Sequence, residues 1–487
     1  MLVNIAAVSL AITAIVLPFR PDRAMRVATG LISHTLCSET FIAGLDPDKV
    51  YAEHLKPIHG IRQISWAIHY KVDRDRKEVT ATIAGGFKNR AVYREGLGCV
   101  VVHEGEPEPV SPQETLASVS TVAPAWSDLA GPQVVEPTDE KLRAALEHAF
   151  AEPPGNPWRQ TKAVVIVHDG HIIAERYAPG YGIDTPLISY SLAKSVTNAQ
   201  LGILVREGRL AMDKPAPVAE WSKPGDPRGR ITLDNLLSMT SGLALDETGS
   251  GFDRNTRMLY LERDMARYAE CAHLKRPPGT KWEYASGNTI IISRIIRDTL
   301  GGHAADVSRF ARQELFAPLG MRNVTMEFDS TGTQIGSTYV YAPARDWVRL
   351  GLLYLNDGVV NGRRILPEGW VHYSSSPTLG NGYGAGFWTN IGPGKDAQDR
   401  VRWGMPPDSF FASGTLGQFI VVVPSERLVV ARFGVTQDWP FFDVKGVAHL
   451  VSEVTAALKT EALARTGATI AAVKPRNKPN AANAALR

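Results

Sequence analysis

Residues 189–208 read SYSLAKSVTNAQLGILVREG. Ser191 and Lys194 stand three apart, and on a helix such positions share a face. A serine in the first turn then has an amine beside its hydroxyl. The helix N-terminus adds free N–H groups and the positive end of the peptide dipole. A hydroxyl is a poor nucleophile until a neighbour takes its proton. Lysine does so only when neutral, which requires burial or cationic company. The flanking Leu192, Val196, Ile203 and Leu204 predict a buried helix. The spacing alone is weak: about one S-x-x-K match is expected by chance in a chain this long, and a Ser-capped helix with an exposed lysine carries it equally well. The sequence holds no second S-x-x-K and no G-x-S-x-G elbow.

Two later segments bear on the same chemistry. Residues 278–292, PGTKWEYASGNTIII, place Tyr284 in a turn-rich stretch before an apolar run. A phenol held between two cationic groups would have its pKa lowered and would serve as a general base. Residues 410–423, FFASGTLGQFIVVV, put small residues at the head of a strand, where backbone N–H groups can approach an oxyanion.

The three segments, in this order, resemble the serine β-lactamase and penicillin-binding-protein superfamily: S-x-x-K, then a Y-x-N or Y-x-S element, then a strand-borne K-T-G equivalent. The closer resemblance is to class C β-lactamase-like hydrolases, in particular the 6-aminohexanoate-dimer hydrolase branch. It is carried by SYSLAKS at 189–195, LDNLLSMTSGL at 233–243, PGTKWEYASGN at 278–288, LFAPLGM at 315–321, ARDWVRLGLLYLNDG at 344–358 with GRRILPEGWV after it, and FFASGTLGQ at 410–418. It implies an α+β fold in which an antiparallel sheet is covered by terminal helices and carries an inserted helical domain. It also implies an acyl-enzyme hydrolase of esters, amides or short peptides, without metal or organic cofactor. Ser191 would be the nucleophile, Lys194 its proton acceptor and Tyr284 the partner base or acid. The backbone N–H groups of Ser191 and Thr415 would form the oxyanion hole, and Ser286, Ser413 and Gly414 would contact substrate. Two positions depart from the β-lactamase pattern: Ala412 stands where K-T-G has lysine, and Ser286 where Y-x-N has asparagine. Both departures occur in the esterase and amidase branches and argue against one alternative, a β-lactamase or D-Ala-D-Ala carboxypeptidase; the intact Ser191, Lys194 and Tyr284 argue against the other, a non-catalytic sensor.

The rest of the chain frames this unit. Its 487 residues exceed what one core usually serves. A net charge of +3 is too mild to argue for a nucleic-acid partner. Residues 2–18, LVNIAAVSLAITAIVLP, carry no charge and read as a signal peptide or membrane anchor occupying residues 1–20. Arg20, Arg23 and Arg26 follow it, and no small-x-small cleavage site stands out, which leans towards an uncleaved anchor and a periplasmic or extracytoplasmic protein held at the inner membrane. Residues 28–105 read as a small α+β domain of unassigned role, and 106–137, EPEPVSPQETLASVSTVAPAWSDLAGPQVVEP, as a Pro-rich linker or strap. The catalytic domain spans 138–460, opening on a Thr138-capped helix, and 461–487 read as a disordered tail. Within it, Asp169-Gly170 between β-rich runs is a two-residue hairpin signal, with His168 and His171 flanking the turn. Of three cysteines, Cys37 and Cys99 bracket the small domain. In an oxidising compartment they would close a loop of roughly 60 residues, worth about 4 kcal/mol, the alternative being two buried thiols. Cys271 is left as a structural thiol.

Overall fold

A computed structural model describes residues 20–107, 126, 129, 131–155, 158–438 and 442–473, with side chains through Thr460. The apolar run at 2–18 lies outside the described residues. Among the described residues no helix is long and apolar enough to cross a membrane.

The N-terminal unit is one helix laid on one sheet. Helix α1 (Pro21–Phe41) starts on a proline, whose fixed φ suits a first helical turn. Strands β1 (Ile68–Asp73), β2 (Glu78–Ile83), β3 (Gly86–Arg94) and β4 (Gly98–Val102) form an antiparallel meander in that order. In β2 the alternation of EVTATI buries Val79, Ala81 and Ile83, and these pack with Ile32 and Leu36 of α1. Cys37 on α1 and Cys99 on β4 are joined by a disulfide inside this core.

The main layer is built from two distant parts of the chain. Helix α2 (Glu140–Phe150) is capped by Asp139, whose carboxylate accepts from the Leu142 N–H at 3.0 Å. Thr138, the residue read as the cap, precedes it by one; both are good capping types, and the position that aligns with the third helical N–H takes the role. Strands β5 (Thr161–His168) and β6 (His171–Tyr177) follow, joined at Asp169-Gly170. Both turn residues have positive φ, 50° and 82°, as a two-residue hairpin turn requires. A short strand β7 (Leu187–Ile188) leads into helix α3 (Ala193–Arg206). A long helical middle contains helix α4 (Ser286–Leu300), strands β8 (Thr325–Met326) and β9 (Val340–Ala342), and helix α5 (Ala344–Leu355). The chain then returns with β10 (Trp388–Thr389), β11 (Phe410–Gly414), β12 (Gln418–Val423) and β13 (Leu428–Gly434), and ends on helix α6 (Val444–Val473). Helix α6 therefore continues past Thr460 into the stretch read as a disordered tail; residues 474–487 lie outside the described residues.

The six-stranded sheet has the order β10-β11-β12-β13-β5-β6, every neighbour antiparallel. It is buried on both faces. Val429, Ala431 and Phe433 of β13 join the core with α3 and α5, while Leu428 and Val430 join α2 and α6 on the other side. Helices thus cover both faces of an antiparallel sheet, and the helical middle lies between β6 and β10 in sequence. The described part of the Pro-rich segment lies against β6. Glu175 accepts from the Val135 N–H at 2.9 Å, and the Arg345 guanidinium pairs with Glu175 while donating to the Gln133 carbonyl at 2.7 Å. Residues 108–125, 127, 128 and 130 lie outside the described residues.

Candidate active site

Strand β7 pairs with β9, and the chain then makes a sharp turn. Ser189 is fixed three ways: its N–H donates to the Val340 carbonyl at 2.8 Å, its hydroxyl donates to the Thr338 carbonyl at 2.8 Å, and it accepts from the Val340 N–H at 3.0 Å. Tyr190 adopts the left-handed region at φ 43°, a conformation a tyrosine keeps only when its surroundings impose it. One 3-10 turn, Tyr190–Leu192, then feeds α3, so Ser191 sits at the helix entrance and Lys194 one turn later.

Lys194 is 2% exposed. Its Nζ lies 3.1 Å from Ser191 Oγ, 2.9 Å from Ser286 Oγ and 3.0 Å from the Ser337 carbonyl oxygen. Burial lowers its pKa from 10.5 to about 8, with the Glu247 carboxylate opposing. An amine so placed exchanges protons near neutrality and has its lone pair, when free, beside the serine hydroxyl.

Tyr284 stands just before α4, hydrogen-bonded to Ser191, with its ring centroid 4.8 Å from Lys194 Nζ. Its pKa is pushed up, first by enclosure of the hydroxyl and then by Glu247, against the hydrogen bond to Ser191. This corrects the expectation of a phenol acidified between two cations. Lys194 is beside it, but the second charge is a carboxylate, so the resting group is a neutral phenol that can accept one proton while giving up another. Glu247 was missed by the sequence reading. Its Oε2 accepts from the Ser286 N–H at 2.6 Å at the N-terminus of α4, a favourable place for an anion. The backbone carbonyl of Ser337 was missed as well, because a carbonyl has no residue type to read.

An aromatic wall rises behind Tyr284. Trp388 stacks on it with centroids 5.8 Å apart, and Tyr383 meets it edge-on at 5.7 Å. The sequence signal was the aromatic hairpin at 383–388, where Tyr383 and Trp388 bridge.

The head of β11 closes the other side. A Cβ on Gly414 would lie 2.3 Å from the Ser189 carbonyl oxygen and 3.2 Å from Ser191 N, so the strand end rests directly on the turn that carries Ser191. The Gly414 carbonyl accepts from the Gly417 N–H at 3.2 Å, within the β11–β12 turn. Across a trans peptide, the Thr415 N–H points the opposite way, towards the strand edge that β10 leaves unpaired beyond Phe411. Gly414→Ala is expected to cost about 100-fold in turnover, because the new methyl must displace the serine turn. An unchanged circular dichroism spectrum beside lost activity checks it.

Ser286 thus joins Ser191, Lys194 and Tyr284 directly. Ser413 makes no such contact: it pairs across strands with Phe419 and, with Phe411 and Trp388, lines a cavity of about 780 Å³ on the α6 side of the sheet. Ala412 packs into the core on the α3 side at 2% exposure.

Residues 146–451 match the family model described as Beta-lactamase. The chain belongs to the beta-lactamase family. A curated relative, the 6-aminohexanoate-dimer hydrolase of Paenarthrobacter ureafaciens, is 27% identical over 224 residues, 43% of this chain and 56% of that protein. The match thus spans little more than half the relative's length. Among solved structures, a penicillin-binding-protein homologue from Caulobacter crescentus superposes with a TM-score of 0.52 at 16% identity, covering 67% of this chain and 100% of that one. A family VIII carboxylesterase superposes at 0.50 with 16% identity, covering 67% and 99%. At such identities the likeness is one of fold. The family match covers the sheet, the serine helix, Tyr284 and the head of β11; the unit of α1 and β1–β4 falls before it.

Proposed function

We propose that this protein is a serine hydrolase that cleaves an ester or amide bond through an acyl-enzyme on Ser191. The carrying observation is a buried lysine with a lowered pKa whose Nζ is 3.1 Å from the hydroxyl of a serine at a helix entrance. In the acylation step neutral Lys194 takes the Ser191 proton as Oγ bonds to the substrate carbonyl carbon. The carbonyl oxygen becomes an anion held by the N–H groups of Ser191 and Thr415. The tetrahedral intermediate then collapses, and the leaving group departs with a proton passed through Tyr284 from Lys194. Water enters, gives its proton back along the same pair, and attacks the acyl carbon, releasing the acid and restoring Ser191.

The charge of the site supports a neutral or amine-bearing substrate over a carboxylate. Ala412 offers no cation on β11, and Glu247 sets a negative charge beside Lys194 and Tyr284. Esters and simple amides are therefore expected to turn over faster than penicillins or D-Ala-D-Ala peptides. An extracytoplasmic location is part of the same proposal, supported by the apolar run at 2–18 and the Cys37–Cys99 disulfide, a bond favoured in oxidising compartments.

The test is the pH dependence of fluorophosphonate labelling, read by intact mass beside p-nitrophenyl ester turnover and penicillin exposure. Only neutral Lys194 accepts the proton, so the labelling rate should climb about tenfold per pH unit below about 8 and level off above it. One adduct per chain, ester turnover and no lasting penicillin adduct are the expected results. A flat profile from pH 6 to 9 would show that Lys194 is not the proton acceptor, and durable penicillin labelling would move the protein to cell-wall chemistry.

A further inference from the structure

We propose that Glu327 is a positioning residue for this site, and that the N-terminal unit acts on the reaction through it. The inference rests on the reading of Ser191 and Lys194 as the reacting pair. Glu327 immediately follows β8 and is fully buried. Its backbone straddles the neck of a loop: its N–H donates to the Tyr339 carbonyl at 3.1 Å and its carbonyl accepts from the Ile335 N–H at 2.8 Å. That loop carries Ser337, whose carbonyl meets Lys194 Nζ at 3.0 Å, and Thr338, whose carbonyl receives the Ser189 hydroxyl at 2.8 Å. Lys194 and the turn that leads into Ser191 are therefore both held by the loop that Glu327 closes.

The side chain of Glu327 points into the N-terminal unit. Its Oε1 accepts from the Cys99 N–H at 2.6 Å and from the Ser38 hydroxyl at 2.8 Å, and its Oε2 lies 3.3 Å from His34 Nε2. Cys99 and the neighbour of Ser38, Cys37, are the disulfide pair. Gly98 leaves room for the carboxyl, since a Cβ there would lie 2.7 Å from Oε1. The neighbouring contacts run the same way. Arg94 donates to the Phe328 carbonyl, the His34 ring packs 4.3 Å from Tyr339, and the Tyr341 hydroxyl donates to Glu39 at 3.3 Å. Tyr341 sits on β9 opposite Ile188 of β7, three residues before Ser191.

A carboxyl group buried between two units needs its acceptors used and its proton shared. Burial holds the Glu327 pKa up at about 8 and the His34 pKa down at about 3. Both groups are therefore neutral near pH 7, and Glu327 Oε2 faces His34 Nε2 at 3.3 Å as a close polar contact rather than an ion pair. Loss of the carboxyl strands the Cys99 N–H and the Ser38 hydroxyl and unties from the N-terminal unit the residue whose backbone closes the loop, so that the neck keeps its main-chain bonds but can shift as a whole. The Ser337 carbonyl then leaves Lys194, and the charged form of the lysine loses an acceptor.

The experiment compares wild type, Glu327→Leu, Glu327→Gln and Ser38→Ala in the full chain, reading the rate of fluorophosphonate labelling against pH, per folded molecule. Glu327→Leu is expected to slow labelling about 10- to 100-fold, as a small misplacement of the reacting groups does. Its pH midpoint should fall by about half a unit, because the lysine's ammonium has lost a hydrogen bond. Glu327→Gln keeps the acceptor and should stay within about threefold of wild type with an unmoved midpoint. Should the leucine variant not fold, Ser38→Ala removes one donor and should show the same downward midpoint shift on a smaller scale. A folded Glu327→Leu or Ser38→Ala protein with the wild-type midpoint and rate would overturn the proposal, as would a glutamine variant as slow as the leucine one. A wild type that does not label at all would instead sink the serine-nucleophile reading, and this one with it.

Discussion

Ser191→Ala is expected to abolish covalent labelling and to lower ester turnover by about 10⁴-fold or more, with the protein folded and its melting temperature within a few degrees of wild type. The hydroxyl accounts for the size of the effect, because no neighbour can replace it. Tyr284 is a phenol with a raised pKa, Ser286 points at Lys194 from the far side, and the residue that follows, Leu192, is buried at 0% exposure. The alanine methyl keeps the 3-10 turn, since the turn's own anchors are the backbone and hydroxyl of Ser189. Intact mass after fluorophosphonate treatment reads the first part and thermal denaturation the second. Residual turnover above a few per cent in the folded variant would place the nucleophile elsewhere.

Lys194→Met is the second large effect, and it should separate activity from stability. Turnover falls by about 10³-fold or more, because the neutral Tyr284 phenol beside Ser191 is too weak a base to take its proton alone. Stability is expected to hold or rise. The folded state binds a proton at Lys194 less readily than the unfolded chain does, since burial drops the pKa from 10.5 to about 8. Stability from this group is therefore fully present above about pH 10.5 and is withdrawn as pH falls towards 8. At neutral pH that amounts to something on the order of 3 kcal/mol. Methionine fills a similar space without a charge to desolvate, so its melting temperature at about pH 7 should equal or exceed that of wild type, and the difference should shrink above about pH 9. A methionine variant destabilised by several kcal/mol would mean that the lysine's three hydrogen bonds outweigh its desolvation.

Much of this site was legible in local sequence because local rules place it. The i,i+3 geometry of Ser191 and Lys194 follows from a helix, the Asp169-Gly170 hairpin from its two positive-φ residues, and the strand at 418–423 from its apolar run. What escaped was made by chain segments far apart in sequence. Glu247 sits 37 positions before Tyr284 and reverses the electrostatics expected for it. Ser337 acts through a carbonyl that every residue possesses. Ser413, beside a glycine in a matched motif, faces away because alternate strand residues take opposite sides, and the motif does not say which parity meets the serine. The Asp139 cap was passed over for Thr138, the weaker capping type, and the register of α2 settles which of the two reaches the Leu142 N–H.

The central sheet also sets the order in which the protein can be made. Strand β5 is flanked by β6, which emerges at once, and by β13, which emerges only after the helical middle. Until the ribosome has delivered Leu428–Gly434, the edge of β5 carries Val164, Val165, Ile166 and Val167 with no partner strand. A long apolar edge is a template for pairing with another chain, and a nascent one is held open for as long as translation takes. The bond between β5 and β13 closes the main sheet, so the protein can complete its fold only near the end of its own synthesis, and any pause in between is spent with that edge exposed to whatever holds unfolded chains apart.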